Sequence, residues 1–329
     1  MNIYDIAKKT NYSPSTVSRV LNNSDRVSDT ARETILKFCE ENNYSINVVA
    51  QSLSKQESKN IAFIIPDIKN NFFAGIYRGL RNVVEKRDLN VILYDTNDNV
   101  SMEKKYLSTL KQQLIAGVVI VPVEEDNSGT LKILNNLNNS NIPVVMVDRN
   151  LNGSKFPSVF VDNKIGAFNA VCELARRGSK NIATITGPLN SSSGKNRYDG
   201  YLEALKKNNL EINKNWVLEG DFRVEKSIEL FKKLFLGGRK PDAVFSANNM
   251  TTIGCVAGAK DLNLMPGVDF LLAGFDYVEI LSLIGLDLIM VDSPVEKMGE
   301  KAGKLLLNRL KNNNIPCKKL ILKTKVITK

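Results

Sequence analysis

The stretch Tyr12-Ser-Pro-Ser-Thr-Val-Ser-Arg-Val-Leu-Asn22 predicts a short amphipathic helix near the start of this 329-residue chain. Ser13 is a suitable N-cap, because its hydroxyl can accept a hydrogen bond from a first-turn N–H. Pro14 follows at the first helical position, where no N–H is needed and the fixed φ suits a helix. The apolar residues fall on one face at helical spacing, and they are Val17, Val20 and Leu21.

The other faces of this helix carry hydroxyls, an amide and one arginine: Ser15, Thr16, Ser18, Arg19 and Asn22. Such a surface can lie close to a phosphate backbone and still reach base edges. Upstream, Asn2 and Asp5 form a capping-box pattern that predicts a helix over residues 3–9, and Thr10 and Asn11 make a turn. Two short helices joined by a tight turn predict a DNA-binding helix-turn-helix.

A third helix and a short linker complete the N-terminal region. Ser28 is a predicted N-cap, and Ile35, Phe38 and Cys39 repeat at the spacing of a buried helix face. Residues 47–53 make about two helical turns, which is marginal for an isolated helix because nucleation is costly. We therefore expect this segment to become ordered only on DNA.

Composition restricts the chemistry that is open to the chain. It contains no histidine, which excludes His-based triads and His-ligated zinc, and its four cysteines show no metal-ligand spacing. We predict no catalytic residues, no metal site and no cofactor. The net charge of +10 suits nucleic acid, but residues 1–60 are nearly neutral and much of the excess follows Lys297. The DNA-binding prediction therefore depends on the second helix and not on charge.

Two further features concern the compartment. No apolar run approaches the ~18 residues of a membrane span. The N-terminus begins at once with polar and charged residues, unlike a secretory signal. We expect a cytoplasmic protein with no membrane partner.

From Asn60 onward, apolar strand-like runs alternate with amphipathic segments. The main runs are 61–65, 91–94, 118–121, 144–147, 159–161, 182–185, 243–245 and 270–272. This alternation predicts parallel sheets that are covered on both faces. About ten strands are too many for one small sheet, so we predict an α/β core of two doubly wound subdomains behind an all-α head.

The predicted domain bounds follow from these patterns. A helix over 295–310 and a strand over 320–327 are expected to return the chain to the first subdomain. The predicted parts are a head (1–45), a hinge helix and linker (46–59), a core N-subdomain (60–161 and 291–320) and a core C-subdomain (162–290 and 321–329).

Polar side chains follow the predicted strands at the edge where open α/β sheets bind ligands. They are Asp67, Asp148, Asp162, Asn248 and Asp276. Carboxylates and amides suit paired hydroxyl groups, Arg197 offers a bidentate donor, and aromatic faces are available from Phe72, Phe73, Phe160 and Phe222. This chemistry predicts a sugar-like ligand. The chain has no Gly-x-Gly-x-x-Gly and no Walker loop, so binding of a dinucleotide or nucleoside triphosphate is not supported.

Four motifs together resemble one known family. They are Asp5-Ile6-Ala7, Ser15-Thr16-Val17-Ser18-Arg19-Val20-Leu21-Asn22, Asn43-Tyr44 and Ala50-Gln51-Ser52-Leu53. On these motifs the N-terminal region resembles the DNA-binding head of the LacI/GalR (lactose-repressor) family of transcription regulators. The rest of the chain resembles that family's effector core, which has the fold of periplasmic binding proteins.

The resemblance implies roles for residues of the head and hinge. Three residues would face bases and three would hold phosphates: Pro14, Ser15 and Arg19, then Ser13, Thr16 and Asn22. Paired hinge helices, with Asn47 and Ala50, would enter the minor groove, and Leu53 would wedge into the central base step. The chain departs from the family pattern at Ile46, usually proline, and at Gln51, usually arginine.

The resemblance also sharpens the ligand site. Six residues match family positions that contact or pack on the effector: Asp148, Arg197, Asn248, Asp276, Phe73 and Phe222. Asn249 stands where the family commonly has aspartate, and Asp292-Ser293 stand where it commonly has Arg-Gln before the proline.

The leading hypothesis is a homodimeric repressor of a carbohydrate-utilisation operon that binds a pseudo-palindromic operator in double-stranded DNA. A sugar-like effector between the core subdomains would control it allosterically. A co-repressor or a phosphoprotein co-regulator remains an alternative. The other classes are a sugar-binding transport protein, which the head and the missing signal peptide disfavour, and an enzyme, which the missing nucleophile motif disfavours. The chain ends without an added leucine-repeat helix, which favours a dimer over a tetramer.

Overall fold

The computed structural model describes residues 1–22, 24, 26–42, 44, 58–313 and 315–328, which belong to two compact units, Met1–Ser58 and Lys59–Lys329. The described part of the first unit contains three helices: α1 (Ile3–Thr10), α2 (Pro14–Leu21) and α3 (Asp29–Glu41). The predicted hinge helix, with Asn47, Ala50 and Leu53, lies outside the described residues, as do Ile46 and Gln51.

Side-chain caps begin all three helices at the predicted residues. The side chain of Asn2 accepts the N–H of Asp5 at 3.1 Å, and the Asp5 carboxylate accepts the N–H of Asn2 at 2.8 Å, which completes the capping box. Ser13 accepts the N–H of Thr16 at 3.1 Å, and Ser28 caps α3 in the same way. Such caps contribute about 1 kcal/mol each, which matters for helices as short as α1 and α2.

The three helices enclose a small core of their own. Its buried members are Ile6, Ala7, Val17, Val20, Ile35 and Cys39. Leu21 and Phe38 pack against this core and are partly buried. The apolar spacing in the sequence therefore identified the faces of α2 and α3 that pack together. This packing leaves the polar faces of α2 outside the core.

The first core sheet has six parallel strands in the order β11-β5-β4-β3-β1-β2. Its strands are β1 (Asn60–Ile65), β2 (Asn90–Asp95), β3 (Ile115–Ile120), β4 (Val144–Val147), β5 (Ser158–Val161) and β11 (Lys319–Leu322). Its helices are α4 (Asn71–Val84), α5 (Val100–Thr109), α6 (Ser128–Asn139) and α12 (Val295–Lys311), and a 3-10 turn covers Glu85–Arg87. The central strands β1, β3, β4 and β5 are buried under these helices, as their near-continuous apolar sequences predicted, whereas the edge strands β2 and β11 are partly exposed.

The second core sheet has the order β12-β10-β9-β8-β6-β7. Its strands are β6 (Ile182–Thr186), β7 (Val217–Glu219), β8 (Ala243–Ser246), β9 (Leu271–Phe275), β10 (Ile289–Asp292) and β12 (Lys325–Ile327). Its helices are α7 (Asn163–Arg176), α8 (Ser192–Lys207), α9 (Val224–Leu236), α10 (Asn249–Asp261) and α11 (Glu279–Leu283), and a 3-10 turn covers Lys214–Trp216. None of the described helices is long and apolar enough to cross a membrane.

The chain exchanges between the two sheets at different residues from those predicted. β10 pairs with β9 through Val291, so residues 291 and 292 belong to the second sheet and not to the first. The segment 320–327 is two strands, because β11 stays in the first sheet through Leu322 and β12 then pairs antiparallel with β10. Asp162 fixes this crossing, since its carboxylate accepts both the N–H (2.8 Å) and the hydroxyl (2.9 Å) of Thr324.

Helices α4 and α12 touch backbone to backbone at glycines. A Cβ atom at Gly79 would lie 1.9 Å from the carbonyl oxygen of Glu296, and one at Gly299 would lie 2.0 Å from that of Ile76. No side chain larger than hydrogen fits this crossing unless the helices separate. The contact holds the returning helix α12 against the first subdomain.

We predict that Gly79→Ala lowers the free energy of unfolding by about 1–3 kcal/mol, because overpacking outweighs the better helix propensity of alanine. The matched control is Gly129→Ala in α6, where the added methyl meets chiefly the flexible end of Lys104. The control should unfold at the same denaturant concentration as the wild type or a higher one. Equal stability of Gly79→Ala and wild type in urea titrations would show that the α4–α12 contact can relax freely.

Candidate functional sites

The polar face of α2 is open to solvent in the head. Ser13, Pro14, Ser15 and Arg19 are exposed, while Thr16 is half-buried. The Ser13 hydroxyl lies 2.8 Å from the hydroxyls of both Ser15 and Thr16, so the start of the helix presents a cluster of hydroxyl groups.

The electrostatics of α2 also suit an anionic partner. Its first turn contains no acidic residue, and Arg19 lies in its last turn. The partial positive charge at the helix N-terminus therefore faces no carboxylate from its own first turn. Asn22, half-buried at the other end, donates its side-chain amide to the Ser18 carbonyl oxygen at 2.8 Å.

A cleft of about 370 Å³, including the space at its mouth, lies at the carboxyl ends of strands from both core sheets. Six of the seven predicted effector residues line it: Phe73, Asp148, Arg197, Phe222, Asn248 and Asp276. Asp67 and Phe72 line it as well. The structure thus brings together residues that are up to about two hundred positions apart in the chain, as expected for a ligand crevice in open α/β sheets.

The prediction that Phe160 lines this cleft is wrong. Val159 and Val161 face the core cluster shared by both sheets, and Phe160 faces the cluster on the opposite side of the first sheet. Its ring packs there beneath the ammonium group of Lys319, at 5.2 Å. Side chains alternate between the two faces of a strand, so the neighbours of Phe160 decide its direction. Asp162 is also absent from the cleft lining, because it binds Thr324.

Asp148 is the buried carboxylate of the cleft. It follows β4 directly, in a left-handed backbone conformation (φ 66°). Its Oδ1 atom has no hydrogen-bond partner. Burial raises the pKa of Asp148, although the nearby charges of Arg197 and Arg149 act in the opposite direction. The Oδ1 atom can therefore accept a hydrogen bond from a ligand. In the absence of a ligand, the buried carboxylate has lost hydration without gaining a bond to replace it.

Arg197 is already bound to protein groups on several sides. Its Nε donates to the Asn163 side-chain oxygen at 2.7 Å, and its Nη1 donates to the Ala247 carbonyl oxygen at 2.7 Å. The same Nη1 lies 3.1 Å from the Asp276 carboxylate, and the guanidinium covers the Phe275 ring at 3.7 Å. These contacts fix Arg197 as a rigid wall of the cleft.

Asp276 also has partners for both oxygens. Its Oδ2 receives Arg197, and its Oδ1 accepts the hydroxyl of Ser293 at 2.8 Å. Ser293 is one of the residues at which the chain departs from the family pattern, and this bond gives it a role at the site. The neighbouring Asp292 has a pKa that is raised by partial burial and by the Asp276 charge.

Arg149 lines the cleft and is buried, although no pattern in the sequence singled it out. Its Nη1 donates to Asp98 at 2.7 Å and to the Val123 carbonyl oxygen at 3.3 Å, while its Nε has no partner. Its guanidinium lies 5.6 Å from the centre of the Phe222 ring. Its position directly after the predicted strand-end residue Asp148 is the one feature that could have indicated it.

Hydrogen bonds join the two subdomains around this cleft. At distances of 2.7–2.9 Å, they connect Asn70 to Asn249, Asn97 to Arg223, Asn150 to Ser192, and Glu125 to Asn190. Each bond has one partner from the first subdomain and one from the second. The cleft is therefore held closed by contacts that must change if the subdomains move apart.

Comparison with known proteins agrees with this architecture. The family model "Periplasmic binding proteins and sugar binding domain of LacI family" matches residues 58–323, and "Bacterial regulatory proteins, lacI family" matches residues 2–47. Catabolite control protein A of Priestia megaterium is 29% identical over 96% of this chain and 94% of its own. A ribose operon repressor of Halalkalibacterium halodurans is also 29% identical, over 99% of this chain and 96% of its own.

Among solved structures, the lac repressor dimer bound to operator and an anti-inducer superposes with a TM-score of 0.86. The two are 22% identical, and the alignment covers 100% of this chain and 98% of that one, so the fold is shared throughout. The family models together cover the head and nearly all of the core. This chain belongs to the LacI family of bacterial transcription regulators.

Proposed function

We propose that this protein is a homodimeric repressor of a carbohydrate-utilisation operon, acting in the cytoplasm, with a sugar-like effector between its core subdomains. The observation that carries the proposal is the unpartnered oxygen of buried Asp148, in a closed cleft of a chain that also has a helix-turn-helix head. The ribose operon repressor among its relatives is named for control of a sugar operon, which supports the same assignment.

The head would bind the operator through α2. Pro14, Ser15 and Arg19 would face base edges in the major groove, with Ser13, Thr16 and Asn22 on phosphates. A bidentate contact between an arginine and guanine contributes about 1–3 kcal/mol of discrimination. Leu53, with Asn47 and Ala50 beside it, would wedge into the central base step, which costs a few kcal/mol of unstacking and is offset by contacts with bent DNA.

The effector would act by changing how the two subdomains meet. The hydrogen bonds between Asn70 and Asn249 and between Asn97 and Arg223 span the cleft. A ligand that binds the closed form better than the open form, or the reverse, shifts the balance between them. The hinges are attached to the first subdomain of each protomer, so their separation changes with that balance. If the form that the ligand prefers is also the form that binds DNA, the ligand acts as a co-repressor. If the other form binds DNA, the ligand acts as an inducer.

A dimer is expected because a pseudo-palindromic operator needs two heads. Helix α11 provides an exposed apolar surface in the core. Ile280, Leu283 and Ile284 expose 59%, 73% and 62% of their surface, and they lie within one short stretch of chain. Clustered exposed apolar side chains mark subunit contacts more often than isolated ones do. We assign this cluster to the dimer interface.

We predict that the full-length protein enriches a pseudo-palindromic site with a flexible pyrimidine–purine step at its centre from a random duplex library. Arg19→Ala should weaken binding to that site by about 1–3 kcal/mol in fluorescence anisotropy at fixed salt. Lys37→Ala on α3 serves as a control for the loss of one positive charge and should change affinity less. No enriched site, either alone or with candidate ligands, would refute the repressor assignment. A palindrome without a preferred centre would refute only the Leu53 wedge.

We predict that Asp148→Asn stabilises the ligand-free protein at neutral pH while weakening effector binding at least tenfold, or about 1.4 kcal/mol. Because burial raises the pKa of Asp148 in the folded state, its charged form destabilises the fold above that pKa. The stability difference between variant and wild type should therefore narrow as the pH falls. Thermal unfolding against pH, with and without effector, measures both effects. An unchanged effector response would exclude Asp148 from the site.

We predict that Leu283→Asp shifts the protein from dimer to monomer and lowers operator affinity, because it places a charge in the apolar contact. Leu236→Asp is a matched control, since Leu236 is equally exposed (72%) but ends α9, outside the α11 cluster. Sedimentation velocity at micromolar concentration distinguishes the two states. If the Leu283→Asp protein remains a dimer, α11 does not belong to the dimer interface.

A further inference from the structure

The positive charge of the chain is concentrated in its last segment, far in sequence from the DNA-binding head. Residues 297–329 contain ten lysines and arginines and one acidic residue, so this segment has a net charge of +9 against +10 for the whole chain. The head is nearly neutral. This concentration of charge suits an anionic partner other than the operator.

Helix α12 and the chain around strand β11, both from this segment, line a cavity of about 250 Å³. Lys301, Lys304, Leu305 and Asn308 of α12 contribute to its lining, and their spacing places them on one face of the helix. None of the described residues that line this α12–β11 cavity also lines the cleft between the subdomains. The two are separate places on the molecule.

The lining combines cations with apolar side chains. No carboxylate belongs to the described residues that line the cavity, and its charged members are Lys301, Lys304, Arg309 and Lys318. No ion pair within the described part of the chain involves any of these four. The apolar members are Pro157, Leu305, Ile315, Pro316 and Leu320.

Arg309 is the buried cation of this cavity, with 7% of its surface exposed. Its Nη1 donates to the Ile315 carbonyl oxygen at 2.6 Å and its Nη2 to the Asn138 side-chain oxygen at 3.3 Å, while its Nε has no partner. The other two buried arginines of the described chain, Arg149 and Arg197, each pair with an aspartate. Arg309 has no such counter-charge, so its burial bears a desolvation cost that a bound anion would reduce.

The two kinds of lining residue together select a class of ligand. Lysine ammonium groups are point charges on flexible stems and attract small anions of different shapes. The apolar side chains gain free energy only if the ligand also covers them with apolar surface. An apolar cavity of about 150 Å³ can hold a benzene ring, so this cavity has room for one ring or short chain with an acidic group.

We propose that the α12–β11 cavity is a second ligand site, which binds a small organic anion with an apolar body, such as an aromatic or short-chain carboxylate or phosphate monoester. Lys301, Lys304 and Lys318 attract the anionic group, and Arg309 gains the counter-charge that it lacks. The site is independent of the effector proposed for the cleft.

The test measures binding of phenylacetate, hexanoate and phenyl phosphate to the full-length protein by calorimetry and saturation-transfer NMR. Acetate and inorganic phosphate are matched anions without an apolar body, and 2-phenylethanol and hexan-1-ol are matched molecules without the charge. At least one of the first three should bind roughly tenfold more tightly than its matched probes, and its affinity should fall as salt is added. If none of the three binds, or if the uncharged molecules bind equally well, the proposal is wrong. A polyglutamate peptide that binds more tightly than every small anion would instead make this surface a docking site for an acidic protein.

A double variant tests the contribution of the lysines. Lys301→Met combined with Lys304→Met removes two charges but keeps apolar stems of similar length, so it should weaken binding of the anion roughly tenfold. The matched control combines Lys206→Met with Lys233→Met, which removes two exposed lysines from the last turns of α8 and α9. The control should bind the anion as the wild type does. Equal weakening in both double variants would show that net charge, and not this cavity, attracts the anion.

A third variant tests the location of the site without changing any charge. Asn308 is exposed and lines the cavity, so Asn308→Trp should fill the space and abolish binding of the anion. Its thermal unfolding and sedimentation should match those of the wild type. Undiminished binding by the folded variant would place the anion elsewhere, and a change from dimer to monomer would assign the cavity to a subunit contact. Either result overturns the proposal.

Discussion

The buried ion pair between Arg197 and Asp276 is the interaction on which the cleft depends. Through its other donors, Arg197 also binds the start of α7 at Asn163 and the chain after β8 at Ala247. One side chain thus ties together two helices and the ends of two strands. Removing either partner of such a pair leaves a buried charge uncompensated, which is far more costly than any surface pair in the chain. The pair therefore sets the shape of the cleft before a ligand arrives.

The Asp148 carboxylate has fewer hydrogen-bond partners than the Asp276 carboxylate. This difference suits Asp148 to binding a ligand and Asp276 to holding Arg197 in place. Asp276 accepts Arg197 and Ser293, whereas Asp148 keeps one oxygen without a partner and has a raised pKa. Both residues, and Phe222 opposite, adopt left-handed backbone conformations (φ 66°, 63° and 64°) that non-glycine residues rarely adopt. Strain and desolvation concentrated at one place are typical of a site whose cost is recovered on binding.

Sequence was informative wherever local chemistry decided the structure. The caps at Asn2, Ser13 and Ser28 each satisfy donors a few residues away, so the head helices were predictable. The sheet exchange after Leu322 was not, because it depends on Asp162 binding Thr324 from 162 residues away. The short edge strand β7 carries too few apolar residues to be recognised, and β12 was predicted only as the end of one longer strand over 320–327. Phe160 was misplaced for a related reason, since the face it occupies is determined by neighbouring strands.

Asn249 illustrates how a departure from the family pattern is matched across the cleft. Asn70 must direct its side-chain oxygen at the N–H of Phe72 to cap α4, and the same oxygen accepts the amide of Asn249 at 2.8 Å. The oxygen of Asn249 in turn accepts the N–H of Met250, which leaves its amide nitrogen for Asn70. An aspartate at 249 would place an acceptor against an acceptor and lose this bond. Because Asn70 caps the start of α4 with its side-chain oxygen, residue 249 on the opposite subdomain must offer it a hydrogen-bond donor. Asn249 meets this requirement and couples the start of α4 to closure of the cleft.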